Sequence, residues 1–243
     1  MGWFGDVVAW FQDPANWQGP TGIPQRLLEH VGVSAAALGI ACLLAIPVGL
    51  WLGHVHRGGA LAVGVSNIGR AVPTFAVLVV LVLMPEPFGL STLSIITALV
   101  LFAVPPILTN TYLGVREVDP AAVDAARGMG MSGPQVLAKV ELPMATSLLM
   151  GGVRLAAVQV IATATIAAYV SLGGLGRYVI DGLYIRDFSQ ALGGTYVIAV
   201  LALVVEGLLI GLQWLVVSRG LRRNPTRRRD RKVRPVDIAI ETA

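Results

Sequence analysis

Charge is what this chain has least of. Charged residues make up 13% of its 243 positions and hydrophobic ones 55%, whereas soluble domains are about a quarter charged, which argues against a water-soluble domain. Cysteine is nearly absent: Cys42 stands alone in an apolar run, so no disulfide framework and no cysteine-based zinc or iron–sulfur site can be built from this chain alone. There is no GxxxxGK[ST] phosphate loop, the element that would cradle a nucleotide. The start, MGWFGDVVAWFQDPANW, has no basic region before its apolar residues, and the first cation is Arg26; no cleaved secretion signal is expected. His54 and His56 are two apart, on different sides of a helix, with no Cys or carboxylate close in sequence. They read as interfacial histidines, with no metal site.

What is abundant is uninterrupted apolar sequence. Val31–Gly53 has no charge, Gly58–Met84 only Arg70, Pro87–Val115 none, Leu142–Gly176 only Arg154 and Phe188–Ser218 only Glu206. Each exceeds the roughly 20 residues a helix needs to cross the hydrocarbon, and in lipid only helices or closed barrels satisfy the backbone. The fold class expected is therefore all-α, with about five transmembrane helices. Cations are unevenly placed: from Arg219 onward there are nine Lys/Arg against three Asp/Glu, and before it nine against eleven. Arg57, Arg116, Arg127, Lys139 and the tail fall on one side, and Arg26, Arg177 and Arg186 on the other. The positive-inside rule then puts the tail in the cytoplasm and the N-terminus outside. Three parts result: an interfacial segment 1–26 with Trp3, Trp10 and Trp17 as belt anchors, a membrane domain 27–218, and a basic, disordered tail 219–243 that favours anionic lipid headgroups.

The loop after the third span, EVDPAAVDAARGMGMSGPQVLAKVELPMA, is not generic. Asp119 and Pro120 start a helix, Ala121 to Arg127 favour one, and Gly128 and Gly130 end it. Ser132 and Gln135 have capping-box spacing for a second helix, with Val136, Leu137 and Val140 on its apolar face before Pro143 breaks it. The segment 117–143 thus predicts a helix-turn-helix elbow. Its acidic residues, Asp119, Asp124 and Glu141, and few cations suit a protein partner better than nucleic acid.

In Asp124-Ala125-Ala126, three residues, Gly130, nine residues and Val140-Glu141-Leu142-Pro143, the elbow resembles the EAA loop of ABC importer permeases, with Asp for the usual Glu and Val for the usual Ile. The resemblance extends from roughly Arg26 to Ser218. It implies a methionine-permease-like fold and a permease, not an enzyme, in a bacterial inner membrane. It also implies paired permease subunits, cytoplasmic ATPase subunits that bind ATP and Mg2+, and an extracytoplasmic binding protein, with no cofactor on this chain. By resemblance, Ala125 and Ala126 pack on the ATPase, Gly130 makes the tight turn and Asp124 is a polar contact. ARGMGMSGPQVLAKVELPMA followed by Gly173-Gly174-Leu175-Gly176 looks most like the osmoprotectant group, which moves glycine betaine, carnitine and choline. Methionine or other amino-acid permeases are the alternative, and an ATP-independent carrier or channel the rival from another class.

Arg70, Arg154 and Glu206 are costly inside lipid and need partners; an Arg154–Glu206 pair between the fourth and fifth spans would neutralise both. Asn67, Gln159, Thr163 and Thr165 are candidates for a translocation path or for packing between helices. Pro47, Pro73, Pro105 and Pro106 predict bends. Gly49/Gly53 and Gly207/Gly211 have the spacing that lets helices approach closely. The aromatics Trp51, Phe75, Phe102, Tyr169, Tyr196 and Trp214 are scattered, with no evident cage for a quaternary ammonium. Gly173 to Asp187 reads as an outer connector.

Overall fold

The computed structural model of the chain describes residues 3–56, 71–170 and 173–217, and positions 59, 64, 67 and 69 between the first two stretches. Arg70 and the basic tail lie outside the described residues. Among the described residues there are helices, turns and no strand. The helices are α1 (Trp3–Gln12), α2 (Ile23–His54), α3 (Thr74–Leu83), α4 (Thr92–Arg116), α5 (Pro120–Gly128), α6 (Gly133–Val136), α7 (Leu142–Thr163), α8 (Gly176–Ile185) and α9 (Phe188–Val216).

Four helical stretches are long and apolar enough to cross a membrane: α2, α4, Gly133–Val170 and α9. The predicted second span is present as the ten-residue α3, which Pro73 caps, and that is about half the length needed. The segment nonetheless returns along α4 from one end to the other. A side chain at Gly59 would meet Tyr112 and one at Gly69 would meet Pro105, while Thr74 and Leu78 line one small cavity with Ile95 and Ala98. Positions 59, 64, 67, 69 and 71 are helical as well, and among the described residues the helix is interrupted at Pro73, which lacks the amide a continuous helix requires. With this return, α2 and α4 run in the same direction, and the two ends of the described chain lie on opposite faces.

Small residues set the packing. On α2, Ala37, Ala41, Ala45, Gly49 and Gly53 recur every four residues and so share one face; the alanines are fully buried. An added Cβ at Gly49 would lie 2.8 Å from Thr111 Cβ, and at Gly53 2.7 Å from Val115 Cβ, so this face lets α4 come to backbone contact distance. Lipid tails are as apolar as leucine, and close van der Waals fit of this kind replaces the hydrophobic drive of soluble cores. Gly152 on α7 does the same against Asn110 and the Pro106 carbonyl of α4. A Cβ added at Gly207 or Gly211, with identical spacing, would meet nothing beyond its own helix within 4 Å among the described residues.

Other expectations need correcting. Trp10 is buried, not an exposed belt anchor: it packs edge-on against Tyr178, with ring centroids 5.4 Å apart, and only Gly193 leaves room for its ring. The outer connector carries α8, which explains this, because Tyr178 needs a helix to hold it beneath α1. The fourth span is α-helical to Thr163 and then tightens to a 3-10 helix, Ala164–Val170.

Candidate functional site: the elbow after the third span

The elbow's first helix is delimited as its residues require. The Asp119 carboxylate accepts from the Ala121 amide at 3.0 Å and Pro120 takes the first turn, filling a position whose amide has no helical partner. At the other end the Met131 amide donates to the Ala126 carbonyl at 3.2 Å and the Gly130 amide to Arg127 at 2.9 Å. This is a Schellman closure, with Gly130 at φ +84° in its left-handed position. Gly128 is still helical, so Gly130 alone terminates the helix.

The second half begins with the expected capping contact, the Ser132 amide donating to Gln135 Oε1 at 2.8 Å. It does not end at Pro143. Helix continues from Gly133 to Val170 because Leu137–Glu141 form a π-helical turn, closed by the Leu142 amide on the Leu137 carbonyl. In an α-helix the Pro143 ring would strike the carbonyl four residues earlier; the wider turn removes that clash, so the elbow and fourth span form one continuous element.

Val118, Val123, Ala126 and Val136 bury one another, with Met131, Val140 and Met144 at the edges. Ala126 is 1% exposed and faces inward, so it is not available to a partner as the resemblance implies; in a helix two adjacent alanines point about 100° apart. Asp124, Ala125 and Arg127 are exposed, and Met129 is the most exposed hydrophobic of the elbow at 72%. Sequence reasoning missed Met129; its place between Gly128 and Gly130 in a turn was the available signal. Val140 and Leu142 are half-buried and Pro143 exposed.

Sequence reasoning also missed His54. Its Nδ1 lies 2.6 Å from Glu141 Oε2, joining the end of α2 to the elbow, and Arg116 contacts His56 at 2.7 Å beside it. Glu141 is 1% exposed. At the opposite end of α2 a second polar cluster surrounds a cavity of about 180 Å³ lined by Glu29, His30, Thr92, Gly173 and Gly174. Glu29 accepts from the Gly174 amide at 2.7 Å and from Arg26 at 2.9 Å, and His30 Nε2 meets the Ile161 carbonyl at 3.0 Å.

Among the intramembrane candidates the structure brings Arg154 and Glu206 together. Arg154 donates through Nε at 3.1 Å and through a second nitrogen to Glu206 Oε1, and to Gln213 Oε1 at 2.8 Å. Thr163 lines the small cavity beside α3, Gln159 is half-buried and Asn67 is exposed; no hydrogen bond joins these three among the described residues. Phe75 and Tyr169, 94 positions apart, do meet, edge to face with centroids 5.4 Å apart.

A family model described as the binding-protein-dependent transport system inner membrane component matches residues 45–223, from within α2 through the elbow and past α9. The chain belongs to this family. It is accordingly a multi-pass inner-membrane permease component of a transport system. The chain is 39% identical to the carnitine transport permease protein OpuCB of Listeria monocytogenes over 89% of this chain and 95% of that protein. It is 31% identical to the choline transport system permease protein OpuBB of Bacillus subtilis (strain 168), over 82% and 90%. Among solved structures, the MetNI methionine ABC transporter in inward-facing conformations superposes with a TM-score of 0.69 at 20% identity, covering 78% of this chain and 94% of that one. At that identity the likeness is one of fold, the methionine-permease-like fold expected from the sequence.

Proposed function

We propose that this chain is the membrane-spanning subunit of an ATP-driven, binding-protein-dependent importer of quaternary ammonium osmoprotectants such as glycine betaine, carnitine or choline. The observation that carries the reading is the relatedness to carnitine and choline permeases over nearly the whole chain, which favours this substrate class over methionine. ATP and Mg2+ bind separate ATPase subunits on the cytoplasmic face, an extracytoplasmic protein delivers substrate, and a second permease subunit completes the pathway. Nucleic acid has no part in it.

The elbow supports the division of labour. Two short helical segments packed around their own apolar core, with Asp124, Ala125, Arg127 and Met129 exposed, suit a cleft on another protein. Because the π turn makes it continuous with α7, a displacement of the elbow is carried into the fourth span. With the elbow cytoplasmic, the tail is cytoplasmic too and the N-terminus outside. Residues 219–243 serve as topological determinant and headgroup contact. Arg154 and Glu206, neutralised by each other, hold α7 to α9, whereas Asn67, Arg70, Gln159 and Thr163 remain candidates for the path.

The test is uptake of labelled glycine betaine at high osmolarity in a strain without other betaine systems, with and without this gene, competed by choline, carnitine and methionine. Loss on deletion, with competition by the quaternary amines and not by methionine, is the expected result. Unchanged uptake would move the substrate class to amino acids. ATP-independent uptake by the purified chain would instead support a carrier.

A further inference from the structure

We infer that His54 is a positioning residue that ties α2 to the coupling elbow, so that movement of the elbow is delivered to the first span as well as to the fourth. The inference rests on the proposed ATP-driven transport and adds a route of transmission to it.

The chain separates His54 and Glu141 by 87 positions, and only their side chains join them. Glu141 is almost wholly buried, and a carboxylate withdrawn from water requires a strong donor. His54 Nδ1 supplies it at 2.6 Å. An ionised carboxylate can only accept, so with Glu141 ionised Nδ1 carries the proton. The other ring nitrogen faces Gly133, where an added Cβ would lie 3.3 Å away. The ring is therefore inserted between the two ends of the elbow's second half: the first residue of α6 on one side, the last residue of the π turn on the other. A side chain at 133 would require the imidazole to give by a few tenths of an ångström. Elsewhere at this end, α2 and the turn after it touch α4: Gly53 lies against Val115 and His56 meets Arg116. Among the described residues His54–Glu141 is thus the side-chain hydrogen bond from α2 to the elbow itself.

The elbow packs around its own core, so it moves as a unit and Glu141 moves with it. α2 in turn is fixed at its far end by Glu29 and His30 to Gly174 and Ile161. A tug at His54 thus acts on a helix whose far end is held 24 residues away.

The geometry of imidazole allows a test that bulk and polarity alone would not pass. An asparagine amide nitrogen occupies about the place of Nδ1, and a glutamine amide nitrogen about that of Nε2. In proteoliposomes holding the assembled permease, ATPase and binding protein, uptake of labelled glycine betaine per ATP hydrolysed should fall by at least about tenfold in His54→Gln and Glu141→Ala, close to the lower bound for one hydrogen bond to a charged group. His54→Asn should stay within about twofold of the native complex, and ATP hydrolysis should persist in all three. Equal ratios in the Asn and Gln variants, or parallel loss of hydrolysis and uptake, would overturn the inference. If Glu141→Ala does not assemble, the Asn/Gln pair decides alone. No ATP-dependent uptake by the native complex would overturn the transport reading itself.

Discussion

The two ends of α2 hold the rest of the chain by the same chemistry arranged in opposite ways. Away from the elbow the carboxylate, Glu29, is on α2 and is gripped by backbone, the Gly174 amide, together with Arg26. Glycine makes that grip possible: Gly174 is at φ +87°, and a side chain at Gly173 would strike Glu29 itself. At the elbow the carboxylate, Glu141, belongs to the other partner and is held by a side chain of α2, His54. A joint made of backbone amides and glycines locks two segments in one register. One made of two side chains transmits a pull while its rotamers can adjust, which suits the end at which we propose that an ATPase acts.

The comparison can be broken most severely at Gly176. Alanine there would meet the Thr165 carbonyl oxygen, backbone against backbone with no flexible group to yield, and overpacking of this kind costs about 1–3 kcal/mol. The Gly176→Ala complex should show the largest fall in thermal midpoint. Next, Gly130→Val forces a β-branched residue into a left-handed turn, costing about 1–2 kcal/mol. Space is not the obstacle, since nothing lies within 4 Å, so Gly130→Asn should be tolerated. Gly130→Val should insert in the membrane and lose uptake, and normal uptake would contradict the elbow's role. Gly173→Ala asks less, because the Glu29 side chain can swing aside. It should cost about 1 kcal/mol, the worth of the Gly174 hydrogen bond, read as a modest thermal shift without change in uptake per ATP. Asp124→Ala, on the exposed face of α5, should change stability by less than about 0.5 kcal/mol while weakening capture of the ATPase in a pull-down.

Much of this arrangement was legible from residue order. Asp119-Pro120, Gly130 and Ser132 with Gln135 mark the elbow because each answers a local backbone need, and local needs are visible in a string. The Arg154–Glu206 pair was legible because isolated opposite charges in lipid have few alternatives. Pro143 misled because its effect depends on whether the preceding turn can widen, which neighbours decide. Ala126 looked like a contact and is core, and Trp10 looked like an anchor and is packed against Gly193, since exposure is a property of the assembled helices. His54, Glu141 and the meeting of Phe75 with Tyr169 depend on contacts across dozens of residues, and no periodicity encodes them. The second span, read as one helix, is divided at Pro73.

The central claim is that ATP-driven force enters at the elbow and not at the opposite end. In a Cys42→Ser background, Met129→Cys and Tyr184→Cys place single thiols at comparably exposed positions, 72% and 89% in the native residues, on opposite faces of the molecule. Labelled with a photoactivatable maleimide in membranes containing the whole transporter, the thiol at 129 should cross-link to the ATPase subunit and the thiol at 184 should not. Cross-linking from 184, or none from 129 in an active complex, would contradict the account.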